Sequence, residues 1–121
     1  MKKILLIEDD LPIRENVTEI LELAGFEPIV SVNGKEGLTR ALSEQPDVVL
    51  CDIMMPGMNG YQLLAELREN SRKKIPFIFM SAKSEVKDIA AGLREGADAY
   101  ICKPFDSEEL VGTIKKLLQN Q

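Results

Sequence analysis

Five short apolar runs, most of them rich in β-branched residues, alternate strictly with five segments whose apolar residues recur at helical spacing. The runs are Lys3 to Ile7, Glu27 to Val32, Val48 to Cys51, Ile75 to Met80 and Ala99 to Cys102, each bounded by turn-forming or charged residues. Ile13, Val17, Ile20, Leu21 and Ala24 carry the helical period in the first intervening segment, and Leu110, Ile114, Leu117 and Leu118 carry it in the last. Strand after strand with a helix between predicts a parallel sheet, because each helix is the crossover that returns the chain to the same edge. The three most continuously apolar runs predict central strands covered by helices on both faces.

The expected fold is therefore α/β, a doubly wound five-stranded parallel sheet in a three-layer (βα)5 sandwich. Right-handed crossovers favour the flavodoxin-like order 2-1-3-4-5, with strands 1 and 3 flanking the point where the order reverses. Asn33 with Glu36, Asn59 with Gln62 and Asp106 with Glu109 each pair a capping residue with Glu or Gln three positions on, and Gly25 and Gly96 fall where helices should end. With 121 residues and 45% hydrophobic content the chain suits one domain over 1–121. Strand 4 separates Cys51 from Cys102 by about 9.6 Å in this order, too far for a disulfide. Both cysteines read as small apolar residues within their strands.

Composition narrows the chemistry. A net charge of -5 argues against a nucleic-acid-binding surface, which needs a basic stripe. The apolar runs are too short to span a bilayer, and the run after Met1, Lys2 and Lys3 stops at Glu8, too early for a signal-peptide core, so a cytoplasmic location is expected. The chain has no histidine, which removes imidazole bases, imidazole metal ligands and any internal phosphohistidine. Carboxylates, hydroxyls and lysines are left.

Those groups stand after the predicted strands: Glu8, Asp9 and Asp10 after the first, Asp52 after the third, Ser81 after the fourth and Lys103 after the fifth. Each has an ordinary explanation alone. An acidic run favours a helix N-terminus, an aspartate starts a turn, a serine sits in a loop, and a lysine is usually solvated. For Asp10, which precedes Leu11 and Pro12, the ordinary reading as an N-cap is preferred. The others converge on one sheet edge. Glu8, Asp9 and Asp52 against Lys103 leave a net two negative charges, and like charges about 4 Å apart repel by roughly 4 kcal/mol at intermediate dielectric. A hard divalent cation would relieve this, and a site that also handles phosphate favours Mg2+. Asp52 would then be open to attack on phosphorus, giving an acyl phosphate, with Lys103 and Ser81 holding phosphoryl oxygens.

The segments IEDD at 7–10, CDIMMPGMNGYQLL at 51–64, MSAK at 80–83 and YICKPF at 100–105 resemble the receiver domains of two-component response regulators. The likeness covers essentially the whole chain. It implies that Asp52 is the phosphoacceptor, that Glu8, Asp9, Asp52 and the Met54 carbonyl bind Mg2+, and that Lys103 contacts the acyl phosphate. It makes Ser81 and Tyr100 a switch pair that remodels the surface of helix 4, strand 5 and helix 5, and it implies a cis Lys103-Pro104 bond. The partners implied are a histidine kinase or histidine phosphotransfer protein upstream and a downstream protein that reads the switched surface. A phosphorylation-dependent homodimer is compatible with it. Catalysis is confined to the protein's own Asp52, so the chain is expected to be a switch, not an enzyme.

Three departures accompany the resemblance. Glu8 replaces a commoner aspartate and lengthens one ligand arm. Ser81 replaces a commoner threonine and is freer to rotate. Ala99 stands where receivers joined to winged-helix outputs usually carry an aspartate used in dimer salt bridges, which weakens an expectation of that dimer. Met54 and Lys83 occupy variable positions flanking the phosphoryl group, and a bulky Met54 suggests a long-lived phosphoform. The rival readings are a Mg2+-dependent phosphohydrolase, a flavin or nucleotide carrier, and an adaptor that is never phosphorylated. The first lacks a covering cap, the second would place Glu8, Asp9 and Asp10 against phosphate, and the third leaves the charged groups without a role.

Overall fold

The period-two alternation of the strands is what builds two cores from one sheet. In the computed structural model, which describes residues 1–120, β1 (Lys3–Ile7) sends Leu5 and Ile7 into one apolar cluster and Ile4 and Leu6 into the other, all four fully buried. β2 (Glu27–Ser31), β3 (Val48–Asp52), β4 (Phe77–Ser81) and β5 (Ala99–Cys102) complete a parallel sheet in the order β2-β1-β3-β4-β5. Helices α1 (Leu11–Leu23) and α5 (Ser107–Gln119) bury Val17, Leu21, Leu110 and Ile114 on one face. On the other, α2 (Gly34–Glu44) contributes Ala41 and α3 (Gly60–Asn70) contributes Leu63, Leu64 and Leu67, while α4 (Val86–Arg94) lies over Phe79 and Tyr100. The expected three-layer order is present.

Local signals act where the sequence places them. The side chains of Asp10, Asn33, Asn59 and Asp106 accept from the backbone N–H of Ile13, Glu36, Gln62 and Glu109, and Gln62 returns the bond to Asn59 at 2.9 Å. Gly25 and Gly96 follow α1 and α4 with φ of +88° and +111°, a conformation that side chains with a Cβ disfavour. Lys103-Pro104 is cis, and both cysteines are free.

Strand limits differ from expectation by one or two residues, for identifiable reasons. β4 begins at Phe77 instead of Ile75, because Pro76 has no N–H to give the ladder, although its carbonyl accepts from Val49 at 2.9 Å. At the other end the pairing runs on: Asp52 pairs with Met80 and Ser81 with Cys102, so both polar residues are the last of their strands and not the first of their loops. β2 stops at Ser31, whose carbonyl accepts from Glu8 N–H at 3.1 Å, leaving Val32 exposed.

Candidate functional site

Because Asp52 and Ser81 are strand residues, their side chains are placed by the ladder and not by a flexible loop. Asp52 is only 7% exposed, and Glu8 and Ser81 are fully buried, whereas Asp9 faces solvent. Lys103, directly after β5, reaches back across the sheet edge. Its Nζ lies 2.7 Å from Glu8 Oε1 and 3.4 Å from Asp52 Oδ2. Glu8 Oε2 accepts from Asp10 N–H at 3.2 Å, and Asp52 Oδ1 accepts from Met54 N–H at 3.3 Å, which keeps the Met54 main chain beside the carboxylate. The side chain of Met54 is 60% exposed.

Burial pushes the Glu8 carboxyl above its ordinary range, and the nearby Asp52 charge adds to the shift against the opposing Lys103 hydrogen bond. Burial acts to lower Lys103, but Glu8 and Asp52 together outweigh it and hold the ammonium above its usual value. The site thus contains a cation held by two carboxylates and a buried carboxylate still short of positive charge. Burial also pushes the Cys51 thiol well up, with Asp52 and Glu8 adding to the effect, so it stays protonated beside this centre.

One carboxylate oxygen each from Glu8, Asp9 and Asp52 lie within 4.8 Å of one another. An all-oxygen set of this kind fits a hard cation, and the unrelieved charge on Glu8 favours one. Asp10 is outside the set and caps α1, as read from its place before Pro12. Two further residues help to build the site. Arg14 Nη1 donates to the Glu8 carbonyl at 2.9 Å, and Gly60 opens α3 where a Cβ would lie 2.6 Å from the Asp52 carbonyl oxygen and 2.9 Å from Ile53 Cα. Arg14 falls one α-helical turn into α1, and nothing in its spacing distinguishes it from a surface arginine.

Ser81 and Tyr100 are brought near each other through the loop after β4. Ser81 Oγ accepts from Lys83 N–H at 3.1 Å, and the Tyr100 hydroxyl donates to the Lys83 carbonyl at 2.8 Å. Partial burial raises the Tyr100 phenol above its ordinary value.

The family model for the response regulator receiver domain matches residues 4–115. The chain belongs to that family. This receiver is 40% identical over 121 residues to response regulator ArlR of Staphylococcus saprophyticus, covering 100% of this chain and 54% of that protein. It is 39% identical over 119 residues to the phosphate regulon transcriptional regulatory protein PhoB of Escherichia coli, covering 98% of this chain and 52% of the relative. The receiver spans about half the length of these curated relatives. Among solved structures, the Francisella response regulator 1452 receiver domain matches with a TM-score of 0.93 at 32% identity, covering 99% of this chain and 98% of that one. The chain is therefore a response regulator receiver domain of the two-component signalling systems. No helix among the described residues is long and apolar enough to cross a membrane.

Proposed function

We propose that this receiver accepts a phosphoryl group on Asp52 from a histidine kinase or histidine phosphotransfer protein and passes the signal through the surface of α4, β5 and α5. The observation that carries the reading is the Lys103 ammonium lying between Glu8 and Asp52 while Asp9 completes a three-carboxylate set. The chain has no histidine, so the phosphohistidine of the donor lies outside these 121 residues.

Glu8, Asp9, Asp52 and the Met54 carbonyl would hold Mg2+, which when bound supplies positive charge that lets an anionic donor approach the carboxylates. An Asp52 carboxylate oxygen forms a bond to phosphorus as the P–N bond of the donor phosphohistidine breaks, and the released imidazole keeps the electron pair of that bond. Lys103 takes up phosphoryl oxygens, since its ammonium is already within reach of Asp52. Ser81 and Tyr100 form the switch pair: both are tied to Lys83, so a change at the Ser81 hydroxyl reaches the Tyr100 ring through the β4–α4 loop. A downstream protein reads the α4-β5-α5 surface. Self-association on phosphorylation would occur without the salt bridge that an aspartate at the Ala99 position supplies.

The test is to incubate the protein with acetyl phosphate, with and without Mg2+, and to follow intact mass. One base-labile phosphoryl adduct that forms with Mg2+ and falls to background with EDTA is expected. A folded protein that gains no adduct from acetyl phosphate or from a phosphorylated kinase would sink the reading in favour of an adaptor. A further expectation concerns persistence. The exposed Met54 side chain stands two residues from Asp52 and screens the acyl phosphate from water, so Met54→Ala loses its phosphoryl group faster than the parent in a decay course. An unchanged or longer lifetime counts against the screening role.

A further inference from the structure

Helix α4 meets the sheet through Gly92, its one buried residue. A Cβ placed there would lie 2.8 Å from Cδ2 and 2.9 Å from Cε2 of Tyr100, and 3.2 Å from Cδ2 of Phe79. The first two separations are shorter than packed atoms tolerate, so the tyrosine ring occupies the volume that any larger residue at this position would need. The ring lies edge-on to Phe79, with centroids 6.4 Å apart, and its hydroxyl reaches the Lys83 carbonyl at 2.8 Å. It therefore bridges α4 and the loop that follows Ser81. Glycine inside a helix is unfavourable relative to alanine. The helix gives up intrinsic stability at the one position where the absent methyl group makes room for the ring.

We infer that Gly92 is a positioning residue for Tyr100: its missing side chain is the seat that keeps the ring against α4 and the phenol hydroxyl on the Lys83 carbonyl. The consequence for signalling rests on the receiver reading given above. One ring keeps the loop that follows Ser81 in register with the exposed side of α4, where Val86 and Leu93 stand. A methyl group at position 92 drives the ring off its seat and uncouples the two.

The test uses the full chain and equilibrium urea unfolding of four proteins: the parent, Gly92→Ala, Tyr100→Ala and the double variant. Gly92→Ala should lower the unfolding midpoint in the parent and raise it in the Tyr100→Ala background, where the helix preference for alanine acts without the clash. A shift of the same sign in both backgrounds overturns the inference. If Gly92→Ala alone fails to fold, recovery of a folded double variant is the same result in a stronger form, and no recovery overturns it. A second readout follows the ring itself. The chain has two tyrosines and no tryptophan, so in a Tyr61→Phe background all tyrosine emission comes from Tyr100. Gly92→Ala should then increase quenching of that emission by acrylamide, and unchanged quenching overturns the seat. Neither measurement needs phosphorylation, so a failure of Asp52 to accept phosphate and a failure of the Gly92 seat remain distinguishable.

Discussion

Replacing Asp52 with asparagine is expected to abolish the phosphoryl adduct while leaving the protein folded. The amide has the size of the carboxylate and can still accept from Met54 N–H, but it is no nucleophile toward phosphorus. A loss of at least about 100-fold in adduct formation, roughly 2.7 kcal/mol in activation free energy, should be read by intact mass after timed incubation with acetyl phosphate and Mg2+. The effect on stability should be small, because two electrostatic changes oppose each other. The substitution removes the attraction of Lys103 for Asp52 across 3.4 Å and also the repulsion between Asp52 and the buried Glu8. At intermediate dielectric each is on the order of 4 kcal/mol before solvation, so they largely cancel. Glu8 and Lys103 remain paired at 2.7 Å, and no buried charge is orphaned. A residual adduct of parental size would place the phosphoacceptor elsewhere.

The largest expected loss of stability comes from Phe79→Ala. Phe79 is fully buried, lies edge-on to Phe77 at 5.1 Å and to Tyr61 at 5.2 Å, and has its Cε1 and Cδ2 edges close to Gly60 and Gly92. The ring is thus wedged between the starting turn of α3, the last turn of α4 and its own sheet. Truncation opens a cavity bordered by backbone that cannot readily close, and should cost about 3–5 kcal/mol. Against the roughly 5–15 kcal/mol typical of a domain, that is a large fraction of the total. With a urea slope of about 1–3 kcal/mol/M, the unfolding midpoint should fall by about 2 M. A shift of only a few tenths of a molar would mean that the surrounding groups collapse into the gap, and would contradict this expectation.

Much of this architecture can be read from residue pattern alone, and the boundary of legibility is physical. The strand order follows from alternation, handed crossovers and the apolar continuity of β1, β3 and β4, and the helix starts follow from Asp10, Asn33, Asn59 and Asp106 because a cap is a local interaction over three residues. The convergence of Glu8, Asp9, Asp52 and Lys103 follows from the order of strands, since residues at strand ends share an edge whatever their separation in sequence. Strand limits are less legible because they depend on which backbone partner is present, as Pro76 and the extra pairs at Asp52 and Ser81 demonstrate. Contacts to main-chain atoms are least legible of all. The Arg14 guanidinium on the Glu8 carbonyl and the Tyr100 hydroxyl on the Lys83 carbonyl leave no trace in residue identity, because every residue offers the same carbonyl.

The five helices are not held equally. Among them, α1 and α5 each bury two residues, α2 three and α3 four, but α4 buries one, and that one has no side chain to remove from water. With one buried residue against the two to four of the other helices, α4 should detach at a free-energy cost below that of global unfolding, so that its amides exchange with solvent deuterium while the rest of the sheet stays intact.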